Sequence, residues 1–166
     1  MLDWLKTQLK IGNEQTRPPV NQRRNGRIDA EVMMIAERFS RPPYQGILYD
    51  DVNRDWLIIP NYPLPDRFAQ RRCDLLIVFP EMYPEAPPIG FYLNRKFALR
   101  DGRVDAHLTS RSYHGAPDLI DQGWHWYCVT MTANSPGAWS PKADHRQPDN
   151  LWTYLTMVRE VLTNDF

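Results

Sequence analysis

Fifteen prolines stand in this chain, most of them in four groups: Pro42 with Pro43, Pro60 to Pro65, Pro80 to Pro88 and Pro136 to Pro148. Proline lacks the N–H that a helix turn or an inner strand position needs. Each group therefore ends the element before it, and the middle of the chain is restricted to short segments. Apolar runs lie between the groups, so the prolines punctuate a packed fold and do not mark disorder. With 166 residues, 42% apolar and 24% charged, there is material for one domain with a full core and a modest appendage.

The segments themselves change period along the chain. Residues 2 to 10, "LDWLKTQLK", put Leu2, Leu5 and Leu9 on one helical face. "GNEQTRPPVNQRRNG" reads as an exposed connector from Gly12 to Gly26, which sets an N-terminal helix and linker over 1–24 apart from a main domain over 25–166. "RIDAEVMMIAERF" places Ile28, Val32, Ile35 and Phe39 at helical spacing, and Arg41-Pro42-Pro43 stops that helix. Short strands follow in "YQGILYDD", "RDWLIIP", "RRCDLLIVF" and "IGFYL", the first two joined by a turn at "DVN". In the third, Cys73, Leu75, Ile77 and Phe79 share one face, so Cys73 reads as core. Residues 94 to 122 read as a long loop with room for a small hairpin. "DNLWTYLTMVREVL" forms a last helix with Leu151, Tyr154, Leu155, Val158 and Leu162 on one stripe, capped by Asp149 or Asn150. Sequential strands on short turns, with helices before and after, predict an α+β fold built on a four-stranded antiparallel meander.

Charge and cysteine usage exclude several classes. Twenty basic residues balance twenty acidic ones, leaving no field to attract nucleic acid or an anionic membrane. Arg17, Arg23, Arg24 and Arg27 make a local basic patch, read as part of a solvated linker. Two cysteines, Cys73 and Cys128, make neither a disulfide framework nor a zinc ribbon. No signal peptide or long apolar run is evident, so a cytoplasmic protein with reduced thiols is expected. His125 and Cys128 are three apart, but only His114 and His107 remain nearby to complete a zinc set, and no metal is expected.

Three local sequences, in order, carry a resemblance to the ubiquitin-conjugating enzymes. "FPEMYPEAPPIGFYL", residues 79 to 93, resembles the family's Tyr-Pro-x-x-Pro-Pro corner between its third and fourth strands. Cys128 followed by Trp139-Ser140-Pro141 resembles its active-site stretch, and "LWTYLTMVREVL" resembles the helix packed behind that site. The match covers roughly residues 28 to 163. It departs from the family's pattern where His-Pro-Asn is expected: the nearest text is Tyr113-His114-Gly115-Ala116, without the asparagine. The chain also ends soon after the last helix, a shortened C-terminus. The profile is similar to divergent bacterial members, of the type found in ubiquitin-like conjugation pathways used in phage defence.

The resemblance implies an enzyme that carries a ubiquitin-like protein as a thioester on Cys128, received from an E1-like activating enzyme and passed to an amine on a target protein. No cofactor is implied. Such chemistry needs an accessible thiol, an oxyanion donor and a group to receive the amine. From the residues alone, Cys128 between Trp126, Tyr127 and Trp139 is either that nucleophile or a small apolar filler. Asn134 or backbone N–H groups would replace the missing asparagine, and Asp144, with His145 beside it, occupies the amine-receiving region or a solvated loop. His114, Trp139 and Pro141 fall to structural support of the site. The alternative is an inactive module of the same fold that binds a ubiquitin-like protein or scaffolds a conjugation complex.

Overall fold

The computed structural model describes residues 21–109, 111–129 and 138–164. The helix expected over 2–10 lies outside them. Helix α1, Gln22–Phe39, starts where the Asn21 side chain accepts the Arg24 N–H at 3.0 Å, closing one of the free donors of a first turn. Residues 22–26 were expected in the connector and are instead its first turns. Arg24 explains the difference: its guanidinium is buried and reaches the Pro80 carbonyl at 3.0 Å and the Phe79 carbonyl at 3.2 Å. Those bonds outweigh the roughly 1 kcal/mol that Gly26 costs inside a helix. Ile28, Val32, Ile35 and Phe39 form the buried stripe, as their spacing predicts.

Strands β1 (Leu48–Tyr49), β2 (Trp56–Pro63), β3 (Arg72–Val78) and β4 (Phe91–Leu93) form the antiparallel meander. The turn at Asp50–Asn53 is tied by the Asp50 carboxylate, which accepts the Val52 and Asn53 N–H groups at 3.1 and 3.0 Å. In β2 the register shifts between Ile59 and Tyr62, where Pro60 has no N–H to offer and Asn61 takes φ 58°. Two strands extend the sheet beyond the expected four. β6 (His125–Tyr127) pairs with β4, and β5 (Leu108–Thr109) pairs with β6, giving the order β1-β2-β3-β4-β6-β5. β5 lies in the stretch read as a long loop.

Both faces of the sheet are buried. On one, Leu57, Leu75, Ile77, Phe91, Leu93 and Tyr127 pack with α1 and the last helix, α2 (Leu151–Thr163). Cys73 belongs to this core, as its alternation predicts. The other face carries Trp56, Ile58, Leu76, Tyr92 and Trp126, covered by Leu119 and Trp124 from the segment before β6. That segment is therefore a cover as well as a connection. α2 begins at Asn150, whose side chain accepts the Thr153 N–H at 3.0 Å.

Candidate active site

Cys128 follows β6 directly and is half-buried. Its main chain stays on the sheet, because the Cys128 N–H donates to the His107 carbonyl at 3.0 Å and prolongs the β5–β6 ladder. Alternation along β6 puts His125 and Tyr127 on the helix side and Trp126 and Cys128 on the other. Packing agrees: Tyr127 sits in the helix-side core, while Cys128 rests against the Trp126 cluster. His125 and Cys128 thus face opposite ways and do not converge as a ligand pair. Among the described residues no three metal-binding side chains come together, and no helix is long and apolar enough to cross a membrane.

On its other flank, the β4–β6 register sets Gly90 opposite Cys128. Gly90 has φ +69°, and a Cβ there would stand 2.3 Å from Trp126 Nε1 and 2.4 Å from the Tyr127 carbonyl oxygen. Only glycine admits the indole, whose Nε1 donates to the Ile89 carbonyl at 2.9 Å. From beneath, the Tyr154 hydroxyl donates to the Gly90 carbonyl at 2.6 Å. Burial, helped by Tyr92 and Cys128, raises that phenol far above its ordinary range, so it remains a donor. The last helix therefore fixes the strand end beside Cys128.

Cys73 differs. It is 4% exposed, its Sγ faces the Tyr62 carbonyl at 3.6 Å, and burial, with Asp74 adding, pushes its thiol well above the ordinary value. A thiol so placed neither ionises nor meets a partner protein.

Trp139, Ser140 and Pro141 return along the Tyr-Pro corner. Trp139 Nε1 donates to the Pro84 carbonyl at 2.6 Å and its ring lies 6.5 Å from that of Tyr83. The Ser140 N–H donates to the Asp149 carboxylate at 2.9 Å. Asp144 pairs with Arg146 at 3.0 Å, and those hydrogen bonds hold its carboxyl at about 2. His145 gives its carbonyl to Asn150 Nδ2 at 2.8 Å. His114 stands at φ 58° in an exposed turn, and Tyr113 and Ala116 make that turn's contacts with the Trp126 side of the sheet. Asn134 lies outside the described residues.

Sequence reasoning missed Glu31. It is fully buried and its carboxylate accepts from Arg27 Nε, from the Tyr83 hydroxyl and, at 2.7 Å, from the Leu151 N–H that opens α2. Arg27 continues to the Lys142 and Ala143 carbonyls. One carboxylate thus joins α1, the Tyr-Pro corner, the segment after Pro141 and α2. Its signal was a glutamate three residues after Ile28 and four before Ile35, on the apolar stripe. Arg23, Arg27, Pro84, Glu85, Pro141 and Lys142 line an adjoining cleft of about 570 Å³, basic on balance.

The sequence model of prokaryotic E2 family E matches residues 44–165, from before β1 through α2, with Cys128 and Trp139-Ser140-Pro141 inside the span. No curated protein and no solved structure matches the chain.

Proposed function

Because the chain belongs to prokaryotic E2 family E, we propose that it is a conjugating enzyme whose Cys128 receives the C-terminus of a ubiquitin-like protein from an E1-like activating enzyme and passes it to an amine on a target protein. The observation that carries this reading is the contrast between the two thiols. Cys128 is half-buried at the end of β6, and Cys73 is sealed in the core. In charging, the Cys128 sulfur attacks the acyl carbon of the activating enzyme's thioester and that enzyme's thiolate leaves. In transfer, an amine attacks the Cys128 thioester, the C–N bond forms, the C–S bond breaks and the sulfur departs as thiolate. A thioester suits both steps, since it stays reactive toward amines.

Asn134, or a backbone N–H near it in the sequence, serves the oxyanion, and Asp144 orients the amine. Trp139 and Pro141 hold the segment against the Pro84 corner, and His114 supports the turn on the other side. The basic cleft between α1, that corner and Pro141 suits the activating enzyme's docking surface. By the same resemblance, the setting proposed is the cytoplasm of a bacterium, in a pathway of the phage-defence type. The test mixes the protein with ATP, a loaded activating enzyme and its ubiquitin-like protein, on non-reducing gels. A thiol-sensitive adduct lost in Cys128→Ala and kept in Cys73→Ala is expected. No adduct beside a visibly loaded activating enzyme would favour the inactive module.

A further inference from the structure

The sheet register brings a second chemically capable side chain to Cys128, 21 positions earlier in the chain. In the β5–β6 ladder Leu108 faces Tyr127 and Thr109 faces Trp126. Continuing that register sets His107, the turn residue before β5, opposite Cys128; the Cys128 N–H makes one main-chain bond of that pair, to the His107 carbonyl at 3.0 Å, while the His107 N–H turns to Asp105. Directly opposed residues of an antiparallel pair project from the same face, with Cβ atoms roughly 4.5–5.5 Å apart. Leu108 and Tyr127 lie together in the helix-side core and Cys128 packs on the Trp126 side, so alternation places His107 on that side as well. Both are half-buried. His107 is also held from behind: its N–H donates to the Asp105 carboxylate at 2.8 Å, and Asp105, itself 2% exposed, is paired with Arg67. Arg67 in turn donates to the Leu162 carbonyl at the end of α2 at 2.6 Å. The other histidines on the described sheet and its cover do not compete, since His125 projects to the opposite face and His114 stands in an exposed turn.

We propose that His107 is the proton acceptor for the Cys128 thiol, a catalytic residue of the charging step. The inference rests on the reading of Cys128 as the nucleophile. The imidazole takes the Sγ–H proton as sulfur attacks the acyl carbon. The bond from that carbon to the activating enzyme's sulfur breaks, and the departing thiolate takes the proton from the imidazolium, leaving His107 neutral again and Cys128 acylated. An imidazole within reach of a thiol is suited to this exchange.

The experiment needs no partner protein. The alkylation rate of Cys128 by iodoacetamide is measured by peptide-resolved mass spectrometry between about pH 6 and 9.5, the span that brackets ordinary imidazole and thiol ionisation. Wild type is compared with His107→Ala and His107→Gln. The side chain makes neither main-chain bond, so both variants keep the strand pairing, which their melting curves check. The charged groups around the pair, Asp105 with Arg67 and the Arg111–Asp118 pair, are unchanged in every variant. We expect alkylation near pH 7 to fall about tenfold or more in both variants, below the roughly hundredfold usual for general-base catalysis because a thiol ionises readily unaided. The pH profile of the wild-type rate should differ in shape from those of the variants. Superimposable profiles in folded variants would overturn the pairing. If conjugation assays fail while the profiles separate, the pair stands and the conjugating role falls.

Discussion

Replacing Glu31 tests how the matched segments are held around the site. Its carboxylate is fully buried and satisfies three donors from three parts of the chain: Arg27, Tyr83 and the Leu151 N–H. In Glu31→Ala, Arg27 keeps its bonds to the Lys142 and Ala143 carbonyls but loses its buried counter-charge. The Tyr83 hydroxyl, buried with its residue at 1% exposure, loses its acceptor, and the first N–H of α2 loses its cap. Each orphaned buried group is worth about 1–3 kcal/mol, and separating the ion pair adds to that, so the loss should be about 3–5 kcal/mol. For a domain of this size that corresponds to a melting point lower by about 10 °C. The assay is thermal melting with urea unfolding as a check. Tyr83→Phe alone should cost about 1–2 kcal/mol, and in the Glu31→Ala background should instead recover part of the loss, because it removes the hydroxyl left without an acceptor. A Glu31→Ala protein within about 1 kcal/mol of wild type, or full additivity with Tyr83→Phe, would refute the reasoning.

Three further perturbations follow from the same geometry. Gly90→Ala forces a Cβ to 2.3 Å from Trp126 Nε1 at φ +69°, and the combined strain and overpacking should lower unfolding stability by about 3 kcal/mol or more, where a urea midpoint near wild type would contradict the packing. Trp139→Phe removes the 2.6 Å bond to the Pro84 carbonyl; stability should fall by about 1–2 kcal/mol and charging should slow, and an unchanged rate would detach Trp139 from the site. The Asp144 carboxyl is held at about 2 by Arg146, below its unfolded range, so the pair's contribution is present at higher pH and lost as pH falls through about 2. Transfer to an amine between roughly pH 6 and 8 should therefore show no limb from this residue. Asp144→Asn should lower transfer while leaving charging intact, and a charging defect would count against its role.

Much of the fold could be read from residue patterns because the causes are local. The stripe of Ile28, Val32, Ile35 and Phe39, the alternation through Cys73, Leu75, Ile77 and Phe79, and the cap at Asn150 each need only a few neighbouring residues to be seen. What escaped depends on distant partners. β5 is two residues long and has no period of its own; it exists because Leu108 and Thr109 find β6. The first turns of α1 contain Gly26 and three basic side chains within "QRRNGR", a polar text that becomes helical once Arg24 reaches the carbonyls around Phe79. Glu31 sits on an apolar stripe as a charge whose partners come from the corner and from α2. At the site, Cys128 and the Trp-Ser-Pro segment stood out in the sequence. The facing of His107 and Cys128 did not, because register joins residues that no sequence window holds together.

The most direct measurement is the chemical location of the loaded ubiquitin-like protein. The protein is charged with ATP and a loaded activating enzyme, quenched in acid without reductant, digested and mapped by mass spectrometry. An acyl adduct on the peptide containing Cys128, released by dithiothreitol and converted to a reductant-resistant ester in Cys128→Ser, is the expected result. An adduct on Cys73, or none while the activating enzyme in the same tube is loaded, would contradict the assignment of Cys128 as the carrier.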